Sequence, residues 1–298
     1  MNSGGERRRR TLDHAYAVLL VQSFLAAGTH IVAKVIVQTV DPQTLTLTRS
    51  LFAMPIMVAL LFLRGTLRRV ERADYRLILY LSILAIPVNQ FFYLYGMRFT
   101  IASNAALLYA TTPIFVLLLS RWFLGERLTQ KKLIGVCLGF TGVTMVIFER
   151  GLSASMEHVW GNLIVFVAVL AWALYTVYGR RLIRKYGAIE ATSLTLIVGT
   201  IAFVPIGLLP MLQYPFSSLT TNGWLQILYL SIGTSVLGYL LWFYALGRVE
   251  AGKVALFTNL QPILTTVLAV VLLGQDVTIA FVVGGCIAIT GVIVAQFG

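Results

Sequence analysis

The sequence predicts an all-α integral membrane protein: ten transmembrane helices, arranged as two inverted five-helix repeats, with both termini cytoplasmic. Three observations predict it. The chain is 58% hydrophobic and only 11% charged, with a mean hydropathy of +0.86. Its positive charge is confined to alternate connections, and its two halves match at a fixed offset. Soluble domains carry about 25% charged residues, so too few polar residues remain here for a water-facing surface. That excludes a conventional soluble enzyme, a disordered scaffold and a nucleic-acid-binding domain. A net charge of +12 would suit nucleic acid, but the basic residues fall in short runs between apolar stretches.

A spanning helix needs about 20 mostly apolar residues. The runs 15–37, 45–63, 75–96, 102–123, 131–148, 161–179, 191–209, 224–245, 252–273 and 280–297 meet that need. None alternates with a period of two, which excludes a β-barrel. Arg7 to Arg10 followed by the first run reads as a basic tail (1–14) and a spanning helix, since the run is too long for a cleaved signal. Cys137 and Cys286 lie inside apolar runs and imply no disulfide framework.

Orientation follows from the cations. With a cytoplasmic N-terminus, the inner segments collect 19 of the 23 Lys and Arg, while outer loops hold only Arg98 and Arg150. The remaining two, Lys34 and Arg49, lie within spans.

Sliding the chain by 149 residues aligns Tyr80–Val143 with Tyr229–Val292 without a gap, and 19 of those 64 positions are identical. The matches include Tyr80 to Ile83 with Tyr229 to Ile232, Pro113-Ile114 with Pro262-Ile263, and Leu124-Gly125 with Leu273-Gly274. Gly135, Cys137 and Thr141 to Val143 recur as Gly284, Cys286 and Thr290 to Val292. Matched Pro, Gly, Thr and Cys are not explained by shared apolar composition. Each unit holds five spans, an odd number, so the second copy enters the membrane from the opposite side. Inverted repeats are a signature of transporters, whose substrate site lies near the midplane where the repeats meet.

The residues that carry a family resemblance now stand out. Pro113-Ile-Phe, the run from Trp122 to Thr129, and Gly135 to Gly142 resemble the EamA repeat of the drug/metabolite transporter superfamily. Trp172 to Tyr175 followed by Gly179 to Leu182 resembles the opening of that family's second repeat. The resemblance spans 15–149 and 160–297, one membrane domain made of two EamA-like repeats. It implies a ten-helix permease that exports amino acids or related small metabolites. The second copy departs from the first where Gln275-Asp276 replaces Glu126-Arg127.

No carboxylate is expected near the midplane, because all eleven acidic residues fall in loops or at span ends. Proton- and sodium-coupled carriers usually place one there, so uniport or exchange is favoured. His30 and Lys34 lie one turn apart on one face of the first span. A cation inside a span normally faces a cavity or a partner, and there it would attract a substrate carboxylate or phosphate. Snorkelling to the outer headgroups is the alternative for Lys34. Arg49 reads as an interfacial anchor or a partner to Asp41, with a role toward an anionic substrate as the alternative.

Asn89 with Tyr93, Trp172 with Tyr175, and Tyr239 with Trp242 share helix faces, and Tyr109 and Asn259 fall within one residue of each other in repeat register. Polar groups flanked by rings suit a small amphipathic ligand, although Tyr and Trp also form interfacial belts. Pro113 and Pro262 are candidate gating hinges, since a mid-helix proline frees a carbonyl and bends the helix. Gly135, Gly139 and Gly142, with Gly284, Ala288 and Gly291, offer small-residue faces for close helix packing within the fold.

These features predict a secondary transporter working by alternating access around a midplane pocket. Its expected partners are a small-molecule substrate bearing a carboxylate and the lipid bilayer of the inner membrane. No nucleic acid, cofactor or metal is expected, and the oligomeric state is a monomer or weak homodimer. A carrier of anionic nucleotide-sugars or organic phosphates by exchange is the second reading. An intramembrane enzyme would need clustered acids or a His/Ser/Asp site facing the cavity, and the spans show neither.

Overall fold

The computed structural model describes residues 3–63, 70–123, 125, 129–149, 156–273 and 279–296. Repeat one contributes α1 (Ser3–Ile36), α2 (Pro42–Leu63), α3 (Arg72–Phe99), α4 (Ala102–Phe123) and α5 (Gln130–Glu149). Repeat two contributes α6 (Met156–Tyr186), α7 (Ala188–Gln213), α8 (Thr221–Leu246), α9 (Ala251–Leu272) and α10 (Ile279–Gln296). All but α5 and α10 contain a stretch long and apolar enough to cross a membrane, eight in total among the described residues. Leu124 and Gly274, one member from each copy of the matched Leu-Gly step, and the contrast of Glu126-Arg127 with Gln275-Asp276 lie outside the described residues.

Local chemistry sets the helix starts. Asp41 caps α2, its Oδ1 accepting from the Thr44 amide at 2.9 Å, and Pro42 opens the first turn where its missing N–H is not needed. Thr220 caps α8 in the same way, accepting from the Gly223 amide at 3.2 Å. Between α6 and α7 the chain turns on Gly187, whose φ of +88° favours a residue without a Cβ.

The 149-residue offset reappears as backbone geometry. α3 widens into a π-helical stretch at Leu84–Gln90, and α8 does so at Tyr229–Gly238. Adding 149 to the first range gives 233–239, so the two stretches overlap in repeat register. Pro87 lacks an amide hydrogen, which loosens the ladder of α3 there. α4 pauses between Ala110 and Thr112, and α9 tightens into a 3-10 turn at Leu256–Leu260 before resuming at Gln261. Pro113 and Pro262 therefore sit at the second residue of a resumed helix, not in an unbroken one.

Packing obeys the same symmetry. α1 packs on α8 and α9 as α6 packs on α3 and α4. α2 packs on its own equivalent α7, and α5 on its own equivalent α10. Helices that meet their own equivalents must lie beside the pseudo-two-fold axis. The α5–α10 contact is close: a Cβ on Gly291 would fall 2.6 Å from both the Gly135 carbonyl and the Gly139 amide. The small-residue faces thus join two helices within the chain, as small residues do in membranes.

Large apolar side chains project outward, among them Trp122 at 78% exposure and Leu212 at 71%. Such a surface is stable against lipid and costly against water. At one end of the bundle, ion pairs cross between repeats. Lys185 at the end of α6 pairs with Glu71 and Asp74 at the start of α3, and Lys132 at the start of α5 pairs with Glu250 ahead of α9. The Tyr186 hydroxyl adds a 2.6 Å bond to Asp74. The opposite end is joined by neutral contacts, Thr100 Oγ1 to Asn162 Oδ1 at 2.6 Å and Tyr214 Oη to the Thr39 carbonyl at 3.2 Å.

Candidate functional site

A cavity, part of it open to solvent, lies among helices of both repeats. α1 supplies Gln22, Thr29 and His30, and α2 supplies Arg49. α3 brings Asn89, Gln90 and Tyr93, and α4 brings Tyr109. From the second repeat come Trp172 on α6, Thr234, Gly238 and Tyr239 on α8, and Gln261 on α9.

The polar groups are tied together across the repeats. His30 Nε2 lies 3.2 Å from Gln261 Oε1 and donates to it, so Nδ1 accepts from the Tyr93 hydroxyl at 2.9 Å. Asn89 Nδ2 donates to the Tyr109 hydroxyl and to the Ala168 carbonyl, each at 2.8 Å. Asn89 Oδ1 and the Ala85 carbonyl each lie 3.3 Å from the Tyr239 hydroxyl. Tyr93, Tyr109 and His30 meet edge to face, with centroids 5.6 to 5.7 Å apart. This half of the wall is preorganised, since every bond restrains a side chain that faces the cavity.

The other half is aromatic. Trp172 stands edge-on to Tyr239 at 5.1 Å and stacks near Tyr175 at 5.7 Å. Behind them, Tyr175 stacks on Phe243 at 4.9 Å and bonds Thr195 at 2.8 Å, while Trp242 Nε1 donates to Thr176 at 3.1 Å. Tyr175 and Trp242 are fully buried and brace the wall instead of lining it.

Six of the expected site residues line this cavity: His30, Asn89, Tyr93, Tyr109, Trp172 and Tyr239. Lys34 does not; its Nζ turns to the Met97 carbonyl at 3.1 Å. Asn259 is 1% exposed and packs against Gly139. Pro113 and Pro262 are buried away from the lining.

Arg49 departs most from its expected place. It is only 2% exposed, makes no described contact with Asp41, and donates through Nε and Nη2 to Ser235 Oγ at 3.1 and 2.9 Å. Asp41 is occupied in capping α2. Distance from the span end suits Arg49 to an anchor, but the helix face it occupies turns it into the cavity. Gln22, Gln90 and Gln261 were also missed, although an amide within an apolar run is a signal that it has a partner or faces a cavity. Among the described residues, no three His, Cys, Asp or Glu side chains converge as a metal site.

The two-repeat organisation is what the family comparison also finds. The EamA-like transporter family matches residues 14–148 and again 159–296. The chain belongs to that family. An uncharacterized transporter of Archaeoglobus fulgidus is 31% identical to it, over 93% of this chain and 95% of that protein. A probable terminal-alkyne amino-acid exporter of Streptantibioticus cattleyicolor is 27% identical, over 79% of this chain and 78% of its own. A crystal structure superposes with a TM-score of 0.78, covering 96% of this chain and 97% of that one at 20% identity, which shows the shared fold. This is a multi-pass membrane transporter of the EamA type, within the drug/metabolite transporter superfamily.

Proposed function

We propose that the transporter spans the cell membrane ten times with both termini cytoplasmic, and that it exports amino acids or related small metabolites by alternating access. The observation that carries this reading is a cavity lined by both repeats, polar on one side and aromatic on the other. Such a cavity fixes the polar end of a small ligand while rings pack on its side chain. Support for amino acids and for export comes from the exporter relative.

The two ends of the bundle differ in a way that suits alternating access. Ion pairs between repeats hold together the end rich in Lys and Arg, the cytoplasmic end by charge. Arg49 and Tyr109 each stand seven residues from the opposite end of their helices, about 10 Å in. The cavity thus reaches from mid-bundle toward the outer side. Pro113 and Pro262, each beside a matched helix interruption, act as the hinges when the repeats rock.

Counterflow in liposomes without an ion gradient tests the proposal. Vesicles loaded with one unlabelled amino acid should transiently accumulate the same compound labelled. Loss of accumulation with folded protein, restored by a pH gradient, would replace uniport or exchange by proton coupling. Exchange of nucleotide-sugars or organic phosphates is the second reading, and Arg49 favours it to the extent that it favours any anion. A phosphorylated ligand, however, brings two negative charges to a cavity with one guanidinium.

A further inference from the structure

We infer that the cavity recognises its substrate through a single carboxylate, held by the guanidinium of Arg49 with the side-chain amide of Gln90. This deepens the transport reading above and rests on it. Arg49 is 2% exposed, yet no Asp or Glu among the described residues lines the cavity or forms an ion pair with it. A buried cation whose one described hydrogen-bond partner is a neutral hydroxyl is poorly compensated, and an anion from outside the chain would complete it.

The free edge has the right shape. A guanidinium carries five N–H donors, and Ser235 takes one from Nε and one from Nη2. The donors that remain are the two on Nη1 and one on Nη2, the edge that binds a carboxylate with two parallel hydrogen bonds. Ser235 does not compete for the ligand, because its own hydroxyl hydrogen is directed to the Leu230 carbonyl at 3.1 Å.

Gln90 is the independent observation. It is 3% exposed, lines the same cavity, and neither its Nε2 nor its Oε1 makes a hydrogen bond of good geometry, although the Tyr239 hydroxyl lies alongside. It borders one small gap together with Ser235, which places it next to the partner of Arg49. A buried amide without partners is costly unless a ligand supplies them. Its Nε2 would donate to the carboxylate. Gln22 Oε1, also unpartnered and on the cavity wall, offers an acceptor for a substrate ammonium or hydroxyl. The ligand class is therefore a monocarboxylate with a second donor group, and an amino acid in its zwitterionic form satisfies it.

The test compares acid with amide in the same reconstituted full-length protein. Counterflow is measured for L-leucine, L-phenylalanine and L-threonine, for their carboxamides, and for glycerol 3-phosphate and UDP-glucose. The expected result is flux of at least one amino acid and none of its carboxamide. Arg49→Gln should raise the half-saturation concentration roughly 10- to 100-fold, Arg49→Lys less, and the exposed Arg98→Gln not at all. Equal flux of acid and carboxamide overturns the inference while transport stands, and so does a wild-type half-saturation in Arg49→Gln. Flux of a phosphate with silence from the acids overturns it too. Silence from every compound, with folding verified by thermal melting, overturns both this inference and the transport reading. Should Arg49→Gln fail to fold, the acid–amide comparison on the wild-type protein decides.

Discussion

Arg49 and Ser235, 186 residues apart, join α2 of the first repeat to α8 of the second through two hydrogen bonds of 3.1 and 2.9 Å to one hydroxyl oxygen. The π-helical stretch of α8 makes this possible. Ser235 Oγ donates back to the carbonyl five residues earlier, and its lone pairs face Arg49. The charge of one repeat is thus held by the widened turn of the other. Ser235→Ala removes the described partner of a buried cation, and the expected loss is about 1–3 kcal/mol of stability. A lowered melting temperature in detergent would show it, and an unchanged one would mean that Arg49 finds its acceptors elsewhere.

Lys34 offers a contrast with Arg49. Its ammonium is engaged by the Met97 carbonyl on α3, outside the cavity lining. Lys34→Met is expected to leave the half-saturation concentration of the transported compound within about twofold while lowering stability by about 1 kcal/mol. A tenfold rise in half-saturation would instead place Lys34 in the binding site.

The two prolines can be tested together. Each is the second residue of a resumed helix after an interruption, where its fixed φ is favourable and its missing amide hydrogen costs little. Alanine at both positions lets α4 and α9 run on as regular helices. Turnover should fall several-fold with little change in half-saturation, as measured by initial counterflow rates. Wild-type turnover would remove the hinge role.

Gly291 reports on the α5–α10 seam. A methyl group there would meet backbone atoms of Gly135 and Gly139 at 2.6 Å, and backbone cannot rotate aside as a side chain can. Gly291→Ala should destabilise the protein by about 1–3 kcal/mol, seen as earlier thermal aggregation. If the variant is as stable as wild type, the seam is looser than the geometry implies.

The Lys132–Glu250 pair gives a pH dependence. Burial raises the carboxyl pKa of Glu250, but the Lys132 hydrogen bond and the charges of Lys132, Lys253 and Arg180 outweigh it and hold the group below the ordinary Glu range. A pKa depressed in the folded state adds stability above the unfolded value, near 4.3, and that stability is lost as pH falls through the folded value. Glu250 is about half exposed, at 46%, so the pair is worth at most about 1 kcal/mol. Glu250→Gln should melt slightly below wild type at pH 7, and the gap should close below about pH 4. A gap that persists at low pH would assign it to packing instead.

Much of this architecture was legible before any coordinates. Apolar runs alone imply the helices, because lipid tolerates no unpaired backbone and leaves few options. The offset of 149 residues also relates the places where α3 and α8 widen and where α4 and α9 break, although no residue of 84–90 is identical to its counterpart in 233–239. His30, Asn89, Tyr93, Tyr109, Trp172 and Tyr239 could be named because polar and aromatic groups are scarce in such runs.

Which face of each helix looks inward was decided only by packing. Residues three apart on a helix point about 60° from each other, so Trp172 reaches the cavity while Tyr175 braces behind it, and Tyr239 and Trp242 divide in the same way. Asn259 lies one residue past the repeat counterpart of Tyr109, and close contact with Gly139 takes it out of the lining. Position along a span does not distinguish Arg49 from Lys34, both within a few turns of the same membrane face. The π turns of α8 and the pairing of α2 with α7 set the difference, turning one cation into the cavity and leaving the other at a backbone carbonyl. Hydropathy is a property of the chain in one dimension; the direction of a charge within a bundle depends on helices far away in sequence.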